Sequence, residues 1–418
     1  MENKIVPELR FQEFVGEWKK EPLKEYINQI SGFAFKGDDI VEDNTGIRLL
    51  RGINITEGYI RHNNKIDRFF IGDTNTLEKY FLLENDLVLA MDGSKVGKNV
   101  ALVGQEDVGS LLIQRVARIR ANDNSDIDFI FQNIFSEKFR KYVDTVNTSS
   151  GIPHISSKQI NHFKVGFPSL PEQKKIATFL KTFDKRIEIL EKRKSDLEQY
   201  KNGVMQKLFS QTTRFKNENG NNFPAWEEKK LGDLGETFNG LTGKTKVDFG
   251  EGKPYIQYMQ IFSSSLIDTS QFGLVKIEDG ENQSKAQLGD VFFTTSSETP
   301  NEIGTSSVLT VQVDEVYLNS FCFGYRPNSL DELVPEFSQF FFRSENVRRK
   351  VIKLAQGSTR FNMSKLELMK LKFDFPKKDE QIKIANFLIS IDKSIEKVGA
   401  QIEDSILFKQ GLLQKMFV

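Results

Sequence analysis

One stretch of this chain is written twice, and the repeat constrains the fold more than any other feature. Glu172-Gln173-Lys174-Lys175-Ile176-Ala177-Thr178-Phe179-Leu180 returns as Glu380-Gln381-Ile382-Lys383-Ile384-Ala385-Asn386-Phe387-Leu388, 208 residues later (380 − 172 = 208). The spacing holds without a gap through Asp184/Asp392, Lys185/Lys393, Gly203/Gly411 and Phe209/Phe417. In a chain of 418 residues, such a repeat makes two halves the natural division.

Both copies read as long helices. Ile176, Leu180, Phe183, Ile187, Leu190, Leu197, Val204 and Leu208 alternate by four and three wherever the stripe is unbroken. Ile384, Leu388, Ile391, Ile395, Val398, Ile402, Leu412 and Met416 keep the same register. So narrow a stripe predicts the seam of an antiparallel coiled coil formed by the two copies. Lys194 and Lys201 interrupt the first seam, and Ser405 and Lys409 the second, so the seams differ and favour pairing with each other. At a rise of ~1.5 Å per residue, Ile176 to Leu208 spans about 50 Å.

The remainder reads as a tandem of α/β (α+β) domains with twisted sheets. The expected order is domain 1 over 1–168, a spacer helix over 169–210, domain 2 over 211–376 and a second spacer helix over 377–418. Leu9-Arg10-Phe11 and Trp18 open the first half as Thr213-Arg214-Phe215 and Trp226 open the second. Strand-like runs follow at 49–53, 86–90 and 111–117, answered by 255–259, 290–294 and 316–321. A helix is expected from Asp128 to Val146 and from Glu336 to Leu354. Then come the polar loops Thr148-Ser149-Ser150-Gly151 and Gly357-Ser358-Thr359-Arg360, and capping boxes at Ser156/Gln159 and Ser364/Glu367. Glu172 and Glu380 fall in the first turn of each long helix, where the dipole favours negative charge.

Composition narrows the function. Lys+Arg and Asp+Glu are both 58, which argues against a polycation coating nucleic acid but leaves local basic surfaces open. A lone Cys322 excludes an internal disulfide and fits a reducing compartment. No apolar run is long enough for a membrane span and no signal peptide is seen, so a cytoplasmic protein is expected. Gly240-Leu241-Thr242-Gly243-Lys244-Thr245 ends like a phosphate loop, but Phe238 stands where its first glycine belongs. Three histidines and one cysteine make a zinc site a poor fit, and no methyltransferase or nuclease motif appears, so no catalytic and no metal residue is assigned. The chain reads as a binder.

Two domains at the ends of one rigid helix pair suit a bipartite ligand, and ~34 Å per DNA turn is comparable with the rod. The candidate DNA contacts in the first half are Arg51, Lys95, Lys98, Gln114, Arg115, Arg140, Thr148, Ser149 and Ser150. In the second half they are Thr295, Ser296, Ser297, Asn319, Arg348, Gly357, Ser358, Thr359 and Arg360. Arg and Lys neutralise phosphates, Arg forks onto guanine, and Gln or Asn suits adenine. The two polar loops are the stronger candidates, because small residues at matching places let the backbone approach a ligand.

Phe167-Pro168 before Pro171-Glu172-Gln173-Lys174-Lys175-Ile176-Ala177, and Phe375-Pro376 before Glu380-Gln381-Ile382-Lys383-Ile384-Ala385, resemble specificity subunits of type I restriction–modification systems. Asp290 through Ser297-Glu298-Thr299-Pro300 is similar to that family's target-recognition domains. The resemblance implies a non-catalytic subunit whose two domains each read half of an asymmetric split DNA target. It implies two methyltransferase subunits that bind S-adenosylmethionine and methylate adenine, and usually two restriction subunits using ATP and Mg, with no cofactor on this chain. The family's long helices dock the methyltransferases, which marks Ile176, Leu180, Phe183, Ile187, Leu190, Ile384, Leu388, Ile391, Ile395 and Val398 as helix-pair or partner interface. A self-contained restriction or modification enzyme, or a coiled-coil scaffold without DNA, are the alternatives.

Overall fold

The computed structural model describes residues 5–147 and 152–418. The chain packs as two compact units, Met1–Leu190 with Gln401–Val418, and Glu191–Ala400. The long helices Leu170–Phe209 and Lys378–Met416, of 40 and 39 residues, therefore each contribute one part to either unit.

The first unit is built on a four-stranded antiparallel sheet in the order Ile27–Ser31, Val116–Ala121, Leu87–Ala90, Val100–Leu102. The strand Leu87–Ala90 is apolar throughout because both faces are covered. Leu87 and Leu89 face a core shared with Phe129, Phe139 and Ile176, while Val88 and Ala90 face a second core around Leu50 and Leu112. The second unit repeats the order with Gly235–Asn239, Cys322–Pro327, Val291–Thr294 and Ser306–Val308. Val291 and Phe293 point into one core and Phe292 into the other. A smaller sheet flanks each, and it carries the parallel pairs Leu49–Leu111 and Tyr255–Tyr317.

Several local expectations are corrected. The run 111–117 is two strands in different sheets, parted where Arg115 turns to φ 64°. Its counterpart 316–321 breaks likewise, at Asn319–Phe321. Tyr258 and Met259 lie in a short helix, Tyr258–Ser263, rather than a strand. The single helix expected in each half is two, Ile127–Ile134 then Glu137–Val146, and Pro335–Phe341 then Glu345–Ile352. Ser136 restarts the first pair by accepting from the Phe139 N–H at 3.3 Å. The capping box at Ser156/Gln159 forms, but Ser364 makes no cap bond, and Glu367 instead takes Lys370 at 2.6 Å.

At the head of each long helix, burial explains the doubled Glu-Gln pair. Glu172 is 1 % exposed and accepts from Arg10 Nε and Nη2, both at 2.8 Å, and from the Trp18 indole at 3.3 Å. Glu380 does the same with Arg214 at 3.0 and 2.6 Å and Trp226 at 3.0 Å. Gln173 accepts from the Asp126 N–H and donates to Pro168 O, and Gln381 repeats both bonds with Val334 and Pro376. The helix dipole is thus the lesser part of these glutamates' role; each is the anchor of a desolvated three-donor clamp.

The seam positions lie inside the units. Ile176 and Leu180 share a core with Leu412 and Met416, while Ile384, Leu388 and Ile391 share one with Leu208. Val398 is buried, and Phe183, Ile187, Leu190 and Ile395 are half-buried. Two of the residues expected to interrupt the seam complete it instead. Lys409 reaches Asp184 at 2.5 Å in the first unit, and Lys201 reaches Asp392 at 2.5 Å in the second. These pairs are repeat mates, since Asp184/Asp392 and Lys201/Lys409 are both 208 apart. In each unit the two helix segments run antiparallel.

Candidate DNA interface

Where the central strand ends, three segments of each unit are tied together by backbone hydrogen bonds. In the first unit the Met91 N–H donates to Arg115 O at 2.9 Å and the Ile155 N–H to Met91 O at 2.8 Å. In the second the Thr295 N–H donates to Phe321 O and the Met363 N–H to Thr295 O, each at 3.0 Å. Bridges between Asp92 and His154, and between Ser296 and Asn362, extend the same junction. The side chains joining this edge from the first strand also correspond: Ser31 meets Ser157 at 2.7 Å, and Asn239 meets Lys365. A common frame thus presents different side chains in the two units.

A buried aspartate sets the start of the central strand in both. Asp290 is fully buried and accepts from the Gln287 N–H at 2.7 Å and from Arg326 at 2.8 and 2.7 Å. Asp86 accepts from the Leu83 N–H at 2.8 Å and from Arg120. The preceding residue holds positive φ in each, Asn85 at 65° and Gly289 at 90°. Burial is the larger influence on Asp290 and raises its carboxyl above the ordinary range, with Arg326 opposing. Asp290 is therefore a strut behind the edge rather than a surface contact.

The candidates separate on this frame. The Arg115 side chain is 67 % exposed, and its guanidinium pairs with Asp92 at 3.4 Å. Gln114 and Lys98 are exposed, and Lys95 leans on Glu57 at 3.1 Å. In the second unit Thr295, Ser296 and Asn319 lie on the edge half-buried, and Gly357, Ser358, Thr359 and Arg360 are exposed. Ser297 is buried, its hydroxyl donating to Thr299 O at 2.6 Å. Thr148, Ser149 and Ser150 lie outside the described residues.

Three arginines do structural work instead. Arg348 donates to the carbonyls of Gly304, Asn301 and Ile303 at 2.7–2.9 Å, and burial lowers its pKa. Arg140 lies over the Phe135 ring and pairs with Glu57 and Glu137. Arg51 donates to Ile66 O at 3.2 Å. Arg348 in particular is a poor surface contact, because its guanidinium donates to main-chain oxygens of its own unit.

Sequence reasoning missed Asp92, Phe321 and Asn362, which stand on the same edge as His154. Phe321 is 59 % exposed, an apolar ring where the first unit has Arg115. The signal was available in the repeat: both interrupted strand runs break at this point. Among the described residues no helix is long and apolar enough to cross a membrane.

Comparison with known proteins bears directly on this arrangement. The family model for the type I restriction modification DNA specificity domain matches twice, over residues 16–199 and 225–406. The chain is 26 % identical over 346 residues to the type I restriction enzyme MjaVIII specificity subunit of Methanocaldococcus jannaschii, covering 78 % of this chain and 76 % of that one. It is 25 % identical over 415 residues to the putative MjaX specificity subunit of the same organism, covering 92 % and 89 %. Its fold is similar to the crystal structure of a type I restriction-modification S subunit from M. genitalium, with TM-score 0.56, 15 % identity and 99 % of both chains covered. A chain from a structural study of type I restriction–modification complex assembly matches with TM-score 0.60, 16 % identity and 96 % and 97 % coverage. With both halves matched and the repeat aligned to the match, this chain belongs to the type I restriction–modification DNA specificity family, as a non-catalytic DNA-recognition subunit.

Proposed function

We propose that each unit reads one part of a split, asymmetric DNA target through the edge described above. The first unit would do so with Gln114, Arg115, Lys98 and His154, the second with Thr295, Ser296, Asn319, Phe321 and Arg360. The observation that carries this reading is the common three-segment frame bearing unlike side chains. An arginine in one unit suits guanine or phosphate, and an aromatic ring in the other suits a thymine methyl or a base step. The proposed partners, supported by the family, are methyltransferase subunits, two per chain, carrying S-adenosylmethionine, and restriction subunits carrying ATP and Mg, with the cytoplasm as the proposed location.

The test is methylome sequencing of cells expressing this chain with a methyltransferase partner. A bipartite motif is expected, and exchange of residues 20–168 for another family member's first domain should alter one half only. Both halves changing together, or methyl transfer by the purified chain alone, would overturn the reading.

A further inference from the structure

The C-terminal end of each long helix meets a repeated wall of its own unit, and the two walls are finished differently. In the first unit the Val418 side chain lies against Gly166, so close that a Cβ there would stand 2.8 Å away, and Lys138 donates to the Val418 carbonyl oxygen. Phe417 stacks on Phe129 at 5.3 Å beside it. The repeat mates of Lys138, Gly166, Trp18 and Phe417 are Asn346, Asp374, Trp226 and Phe209, each 208 residues away. All four line a cavity of about 310 Å³ in the second unit. There the residue matching Val418 is Ser210, which is exposed, and the next residue, Gln211, turns at φ 59°. The chain fills the pocket in one unit and not in the other.

A second observation points to a ligand. Ser136 in the first unit accepts from the Phe139 N–H and donates to Asn133 O at 2.5 Å. Its repeat mate Ser344 is 3 % exposed and lines the cavity, and its hydroxyl has no hydrogen-bond partner among the described residues. The floor is aromatic, from Trp226, Phe341 and Phe373, while Asp374 and Arg349 stand on the rim. Opposite charges across an apolar floor match a peptide backbone, its N–H toward Asp374 and its carbonyl toward Ser344 and Arg349. The volume sits at the small end of ligand pockets, ~300–1,000 Å³.

We propose that this cavity docks a peptide segment of a partner polypeptide that presents a branched aliphatic side chain, as Val418 does in the first unit. The inference does not depend on the DNA reading. The probe is a synthetic peptide of residues 412–418, titrated into the full chain labelled with 5-fluorotryptophan. Only Trp18 and Trp226 carry the label, and Trp226→Phe assigns the resonances. The Trp226 resonance should shift saturably while Trp18 stays, and replacing the peptide's final valine with aspartate should weaken binding at least tenfold. Asp374→Phe, at an exposed position, should abolish the shift with the melting temperature unchanged; Arg349→Glu, also exposed, should weaken it if the first variant misfolds. No shift at millimolar peptide, equal shifts of both tryptophans, or a shift that survives Asp374→Phe would overturn the proposal. A shift that grows with protein concentration and no peptide would overturn it in favour of a second copy.

Discussion

Arg214→Met isolates the clamp at the head of the second long helix. Glu380 is 1 % exposed and takes two bonds from Arg214 and one from Trp226. Removing the arginine strands a carboxylate that water cannot reach. Breaking a buried pair in this way costs ~3–5 kcal/mol, and with Arg214 itself 25 % exposed the lower end, ~3 kcal/mol, is expected. A unit the size of residues 191–400 moves ~2–4 °C per kcal/mol, so its calorimetric transition should fall by about 6–12 °C. The charge is the cause under this reasoning. Adding Glu380→Gln keeps an acceptor for the Trp226 indole and removes the stranded charge, so the double variant should recover more than half of the loss. If it melts no higher than the single variant, lost packing of the arginine stem is responsible and the clamp argument fails. Arg10→Met should act in the same way on the transition of the first unit.

Other perturbations separate the reading edge from its supports. Arg348→Met leaves three main-chain carbonyls without their donor and should lower stability by about 2–4 kcal/mol in urea titrations, with the methylated motif unchanged. Arg115→Gly relieves a positive φ on a non-glycine residue, so stability should hold or rise by up to ~1 kcal/mol while affinity for the cognate DNA falls by ~1–3 kcal/mol in anisotropy measurements. Loss of stability together with binding would identify Arg115 as structural. Lys409→Leu removes an ion pair whose aspartate is 40 % exposed and adds apolar surface to the seam, so thermal stability should change by less than ~1 kcal/mol. Binding of the full chain to its target should weaken linearly in log K against log salt, and a flat response would refute phosphate contact.

The sequence by itself determined the two-part plan, because an ungapped 208-residue repeat admits little else. Apolar periodicity located both long helices to within a few residues, and the proline before each and the capping box at Ser156 marked boundaries through local backbone chemistry. What it left open depends on partners far along the chain. The Glu-Gln pair looked like helix-dipole chemistry until Arg10 and Trp18, more than 150 residues away, closed on Glu172. Lys201 and Lys409 read as defects in a stripe until Asp392 and Asp184 met them. Arg348 and Arg115 are the same residue type in similar polar company. Only folding sends one inward to three carbonyls and leaves the other in water, because burial and hydrogen-bond partners are set by tertiary packing and not by local composition.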